Sequence, residues 1–156
     1  MPMPKVSAGL LLFRRKEGSL QFLLGHMGGP FWQNKDQGAW TIPKGEFDPE
    51  EEEPFDAAKR EFEEETGTSV EGNFLELQPI KQKSGKIVWA WALEKDLDEL
   101  QLRSNTFEIE WPPKSKKLAS FQEIDKWRWM TGAQAQGKVI TGQQELLAQL
   151  EKRLSS

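Results

Sequence analysis

The chain has 156 residues, 37% of them hydrophobic, with nine Phe, seven Trp and a net charge of −4 at pH 7. That length and aromatic content suit one folded domain over residues 1–156 and argue against disorder. With no cysteine and a single histidine, His26, the chain excludes disulfides, thiolate metal sites, cysteine nucleophiles and any site built on two imidazoles.

No apolar run approaches the length of a membrane span, and Met1-Pro2-Met3-Pro4-Lys5 lacks a signal-peptide core. A cytoplasmic location without a membrane partner is the expectation. Charge is unevenly spread. Between Glu46 and Glu65 stand eleven acidic and two basic residues, a local charge of −9 that leaves +5 for the remainder. Such a stretch inside a mildly basic frame suits a metal site beside an anion-binding surface. Its plainer alternative is a solvated acidic helix face.

Val6 to Arg14 and Gln21 to Met27 read as strands joined by a turn at Lys16-Glu17-Gly18-Ser19. His26 to Gly38 is a long loop carrying Phe31 and Trp32. Trp40-Thr41-Ile42-Pro43 is a short extended piece leading into Lys44-Gly45, and a surface loop runs on to Glu53. Pro54 opens a helix at the position where its missing N–H costs nothing. Phe55, Ala58 and Phe62 share that helix's core-facing side, and Gly67 caps its end. Phe74 to Ile80, Lys86 to Leu93, Phe107 to Trp111 and Lys126 to Met130 read as further strands. Thr141 to Leu154 is an amphipathic terminal helix with Leu146, Leu147, Leu150 and Leu154 on one face. A mixed sheet with one central and one terminal helix is the simplest packing.

The central helix breaks a local rule. Glu61, Glu63, Glu64 and Glu65 crowd its C-terminal end, where each carboxylate opposes the helix dipole by roughly 0.3–1 kcal/mol. Glu61 and Glu65 are also a like-charge pair four residues apart. Rule-breaking of this kind marks a functional site. Glu61, Glu64 and Glu65 are spaced i, i+3, i+4 and share one face. The preceding loop returns past that face, so Gly45 can bring its carbonyl close. Carboxylate and carbonyl oxygens are what a hard divalent cation takes, magnesium or manganese here. Glu64 and Glu65 are expected to be exposed, so neutralising them should leave stability unchanged or slightly raised.

Gly45 to Thr68 resembles the Nudix box of the MutT/Nudix hydrolases, Gly-x5-Glu-x7-Arg-Glu-U-x-Glu-Glu-x-Gly-U with U apolar. Arg60-Glu61-Phe62-Glu63-Glu64-Glu65-Thr66-Gly67 fits the second half at every fixed position, and Glu52 stands eight before Arg60. Two departures occur. The loop from Gly45 to Glu52 is one residue longer, which leaves the partner of Arg60 open by one position, and Thr68 takes an apolar place. Ser104 to Pro113 is similar to a bacterial branch of predicted NTP pyrophosphohydrolases.

The resemblance implies an α+β fold, a Nudix-like α/β/α sandwich with a mixed sheet, a central catalytic helix and a C-terminal helix. It implies magnesium- or manganese-dependent hydrolysis of a diphosphate linkage in a nucleoside diphosphate joined to another group. Glu64 and Glu65 would be the principal metal ligands, Glu61 a ligand or base, and Gly45 a carbonyl donor. Arg60 would orient the carboxylates through its planar fork, and Lys44 would hold a phosphate oxygen. Family members take a further carboxylate from a later strand or loop. Glu110 or Glu108, alternating on one strand face, is the candidate, with solvent-facing edge residues as the alternative. Trp40, Phe31 and Trp32 are candidates to stack a base, against simple core packing. His26 beside Gly28-Gly29 is either a phosphate contact or a surface residue. Trp89 and Trp91 share a strand face, core or cleft, and Lys114, Lys116 and Lys117 form a basic patch, solvated or a lid. The expected substrate is a nucleotide or dinucleoside polyphosphate, with no duplex nucleic acid as partner. A catalytically silent Nudix-like nucleotide-binding module is the alternative.

Overall fold

The computed structural model describes residues 5–155; Met1–Pro4 and Ser156, and with them most of the N-terminal segment just considered, lie outside the described residues. In chain order the elements are β1 (Val6–Lys16), β2 (Ser19–Met27), β3 (Trp40–Thr41), β4 (Lys44–Glu46), α1 (Pro54–Thr66), β5 (Leu75–Glu76), β6 (Ile80–Lys81), β7 (Ile87–Glu94), β8 (Thr106–Glu110), β9 (Leu118–Gln122), β10 (Ile124–Thr131), α2 (Gly132–Ala135) and α3 (Gln144–Ser155). The main sheet runs β10-β2-β1-β7-β5, with β3 attached to β2, β4 to β1 and β6 to β7. β8 and β9 form a separate two-stranded arm.

β1 lies at the centre because it is apolar on both faces. Ser7 to Phe13 are all buried, as expected of a strand covered on two sides. It pairs in parallel with β7 and antiparallel with β2 and β4. Alternate side chains divide the core between two helices. Leu11, Phe13, Phe22, Leu24, Val88 and Ala90 pack with Leu146, Leu147 and Leu150 of α3. Ala8, Leu10, Leu12, Trp91 and Leu93 pack with Ala57, Ala58 and Phe62 of α1. The layers are helix, mixed sheet, helix, the α+β sandwich expected.

α1 owes its stability to packing. Its N-cap, Glu53, makes no side-chain capping bond, and its last turn contains no basic residue. Gly67 closes it in the left-handed conformation, φ 78°, where its N–H donates to the Glu63 carbonyl. What holds it is the fully buried Phe62, worth roughly 1.5–3 kcal/mol, with Ala57 and Ala58 against the sheet.

Three elements depart from expectation. Phe74 to Ile80 is not one strand but the two short pieces β5 and β6. Pro79 has no N–H for a ladder, and the Gln78 N–H is diverted to the Gln149 side chain at 2.8 Å. β9 was unforeseen, because only Ala119 and Phe121 of its five residues turn inward, both half-buried. The terminal helix begins at Gln144, after a 3-10 turn over Thr141–Gln143. There the fully buried Gln143 accepts from the Ile42 N–H at 2.9 Å and donates to Thr41 Oγ1 at 2.9 Å. That amide fixes the segment leading into Lys44-Gly45.

Candidate active site

Gly45 lies opposite Ala8 in the β1–β4 pairing and packs directly against α1. A Cβ at this position would collide with the Glu61 carboxylate, so the backbone and that carboxylate meet because no side chain intervenes. Arg60 organises the next residues. Its Nε and Nη2 donate to Glu52 Oε2 and Oε1 at 2.7 and 2.8 Å, a bidentate pair. Its Nη1 donates to Glu61 Oε1 at 3.0 Å and Glu64 Oε2 at 3.1 Å. Glu52 is therefore the partner of Arg60 despite the longer loop. The extra length is taken up in a turn where the Glu51 and Glu52 N–H groups donate to the Asp48 carbonyl.

The carboxylate face is less exposed than its sequence implies. Glu64 is exposed, but Glu61 is only 8% and Glu65 only 6% exposed. This corrects the expectation for Glu65: α1 sits flush with the sheet, so the side chain following Glu64 turns inward. Burial raises the Glu61 carboxyl above the ordinary carboxylate range. Glu65 is pushed up to about 8, first by burial and then by a hydrogen-bonded carboxyl from Glu123. Glu65 thus keeps its proton more readily than an ordinary carboxyl. Lys44 is drawn down to about 8, chiefly by burial and then by the nearby Lys86 ammonium. Its ammonium makes no ion pair with any described residue.

Glu123, which the sequence did not single out, is the later acidic residue that lies beside Glu65. It stands at the corner between β9 and β10, where its N–H donates to the Asn105 carbonyl at 2.8 Å and its carbonyl accepts from Gly28 N–H at 2.8 Å. The expected position, Glu110 with Glu108, lies on the exposed face of the arm. The Glu110 carboxylate accepts only from the Lys116 N–H, at 3.4 Å, and neither residue bonds to Glu64 or Glu65. A signal was available: Glu123 immediately precedes the apolar spacing of Ile124, Trp127 and Trp129, which marks a strand entering the core.

Trp40 also differs from expectation. It is 2% exposed, its Nε1 donates to Asp36 at 2.9 Å, and its ring meets His26 edge-on at 5.1 Å. Both faces lie within the core, so it offers no stacking surface. His26 is neither a surface residue nor free for phosphate. It is 8% exposed, with Nδ1 2.8 Å from Asp125 Oδ1 and Nε2 2.6 Å from the Lys35 carbonyl. Trp91 and the half-buried Trp89 belong to the α1 side of the core.

Among the described residues, no three acidic or histidine side chains converge as an ion would require, because Arg60 draws Glu61 and Glu64 toward itself. The donor set nevertheless fits a hard divalent cation. Glu61, Glu64 and Glu65 would supply carboxylate oxygens and Gly45 a carbonyl, and a buried carboxyl raised as Glu65 is would be relieved by a dication.

Comparison with known proteins places the fold among described ones. An 8-oxo-(d)GTP phosphatase of Mycolicibacterium smegmatis is 36% identical over 89 residues, 55% of this chain. The chain thus spans only about a quarter (27%) of that relative's length. Among solved structures, a Caenorhabditis elegans Ap4A hydrolase in a binary complex superposes with a TM-score of 0.65 at 23% identity, covering 97% of this chain and 98% of that one. The NUDIX domain of Shewanella oneidensis NrtR, complexed with ADP ribose, gives 0.67 at 16% identity, covering 99% and 90%. A mutT/nudix family protein of Listeria innocua gives 0.66 at 17% identity, covering 99% and 96%. These likenesses concern the fold. The model of the NUDIX domain matches residues 3–150, nearly the whole chain, and the protein belongs to the NUDIX family.

Proposed function

We propose that the protein is a magnesium- or manganese-dependent nucleotide pyrophosphohydrolase that cleaves the diphosphate linkage of a nucleoside diphosphate joined to a further group. The observation that carries this reading is the close meeting of the Gly45 backbone with the buried Glu61 carboxylate, on the helix face where Arg60 gathers Glu52, Glu61 and Glu64 and where Glu65 is buried too. Glu61, Glu64, Glu65 and the Gly45 carbonyl are the residues that would hold the cation, which would neutralise the diphosphate oxygens. Arg60 sets the carboxylates through its bonds to Glu52, Glu61 and Glu64. Water adds to one phosphorus, the bridging P–O bond breaks, and the bridging oxygen leaves with the other phosphate. Glu123 takes the proton released by the water, the role first sought at Glu110. Lys44 holds a phosphate oxygen.

Nucleotide polyphosphates are the substrate class, dinucleoside ones included. A relative named 8-oxo-(d)GTP phosphatase and a structural neighbour named Ap4A hydrolase support this. A cleft of about 620 Å³ lies nearby, lined by Lys5, Lys81, Ser84 and Lys86 together with Glu46, which pairs with Lys86 at 2.9 Å. The test is product release from mononucleotides, dinucleoside polyphosphates and nucleotide sugars, with and without magnesium. Glu64→Gln, at an exposed site, should lose activity at least a hundredfold while its unfolding midpoint stays within that of a typical surface substitution, about 0.5 kcal/mol. Nucleotide binding without turnover by the wild type would leave a silent binding module instead.

A further inference from the structure

We propose that the cleft between the Gly28–Gly38 loop and the β8–β9 arm is the subsite for the substrate's nucleobase, an inference that rests on the pyrophosphohydrolase reading. The cleft encloses about 380 Å³ and is lined by Gly29, Gln33, Ser120, Phe121, Gln122 and Asp125, a size suited to a small ligand. Its walls are held by backbone. Gly28 donates to the Glu123 carbonyl at 2.8 Å, and a side chain at Gly28 would strike the Gln122 carbonyl. Gly29 lies against the Phe107 ring, and Phe31 meets Trp111 edge-on at 5.6 Å. The loop and arm therefore touch at the root and farther out, with the opening between them.

The lining chemistry suits a base rather than a phosphate. The Gln33 and Gln122 amides are exposed and make no hydrogen bond with any described residue. Each presents a donor beside an acceptor, the pattern that pairs with a base edge. Phe121 supplies a half-buried ring for stacking. Asp125, held by His26 Nδ1 at 2.8 Å, repels phosphate and favours a base that carries an amino or ring N–H donor. Position agrees: Gln122 is the neighbour of Glu123, whose carboxyl meets Glu65, so the cleft adjoins the carboxylate cluster. Beyond it, Lys114, Lys116 and Lys117 at the tip of the arm are exposed and form no ion pair with any described residue. They attract a polyphosphate toward the opening.

Gln33→Ala and Gln122→Ala test the subsite, since both side chains are exposed and neither belongs to the carboxylate cluster. Each should raise KM for the preferred nucleotide about tenfold, the loss expected of one base-edge contact. Turnover number should be unchanged, and the preference among bases should flatten. Unchanged KM and unchanged base preference in both variants would overturn the subsite, as would a fall in kcat at constant KM. If the wild type cleaves no nucleotide, the pyrophosphohydrolase reading fails on its own. The cleft is then decided by equilibrium binding of a nucleoside diphosphate in magnesium buffer. A Kd about tenfold weaker in the variants upholds it, and equal Kd values, or no binding by the wild type, reject it.

Discussion

Glu65 and Lys44 carry opposite electrostatic strains, and their signs can be separated by titration. Unfolded, the Glu65 carboxyl has an ordinary value of 4.5, and folded it stands at about 8. Between those values the folded chain keeps a proton that the unfolded chain has released, so stability falls as pH rises from 4.5 to about 8. Lys44 is depressed from 10.5 to about 8, so its cost is present below 8 and is relieved as pH rises toward 10.5. The metal-free protein should therefore pass through a stability minimum near pH 8. Urea unfolding in chelator at pH 5, 8 and 10 measures it. Glu65→Gln should flatten the limb between pH 5 and 8 and exceed wild type at pH 8. A variant with the wild-type slope would show that Glu65 does not hold the proton.

At the scale of elements, β4 and α1 approach most tightly where Gly45 meets Glu61. A methyl at residue 45 must displace a buried carboxylate that Arg60 also holds. Gly45→Ala should cost about 1–3 kcal/mol in stability, as overpacking does. It should also lower kcat/KM by up to about a hundredfold, because a ligand shifted by an ångström spoils positioning. Full activity in that variant would remove Gly45 from the site. Much of this pairing was legible in the sequence, because the carboxylate spacing on α1 and the glycine before it are local patterns. So were the β1–β2 hairpin and the apolar face of α3, which follow from periodicity. Glu123 and the burial of Trp40 were not legible. Each depends on which strand neighbours which: β10 beside β2 brings Glu123 to Gly28, and β3 beside β2 folds Trp40 under His26. Glu110 alternated as well as any site residue would, but its strand belongs to an arm outside the main sheet. The inward turn of Glu65 likewise reflects how deeply α1 seats on the sheet, which no spacing reports.

Across the whole molecule the two helices are unequal partners of the sheet. α3 ends with Lys152 and Arg153, which suit its dipole, whereas α1 ends on carboxylates with no basic residue in its last turn. The α1 side therefore holds repulsion that a bound dication would relieve, and binding to the folded chain alone raises its stability by mass action. Magnesium at a hundred times its Kd should add about 2.7 kcal/mol, which for a chain of this size is a rise of roughly 5–10 °C in Tm. Because the ligands must be deprotonated, binding at Glu65 releases its proton. Saturating magnesium should accordingly turn the falling limb between pH 5 and 8 into a flat or rising one. Thermal unfolding at pH 6 and 8, with magnesium or with chelator, reads both effects together. Sodium at equal ionic strength separates site binding from screening. An equal shift from both salts, or a falling limb that persists in magnesium, would place the cation elsewhere than at Glu65.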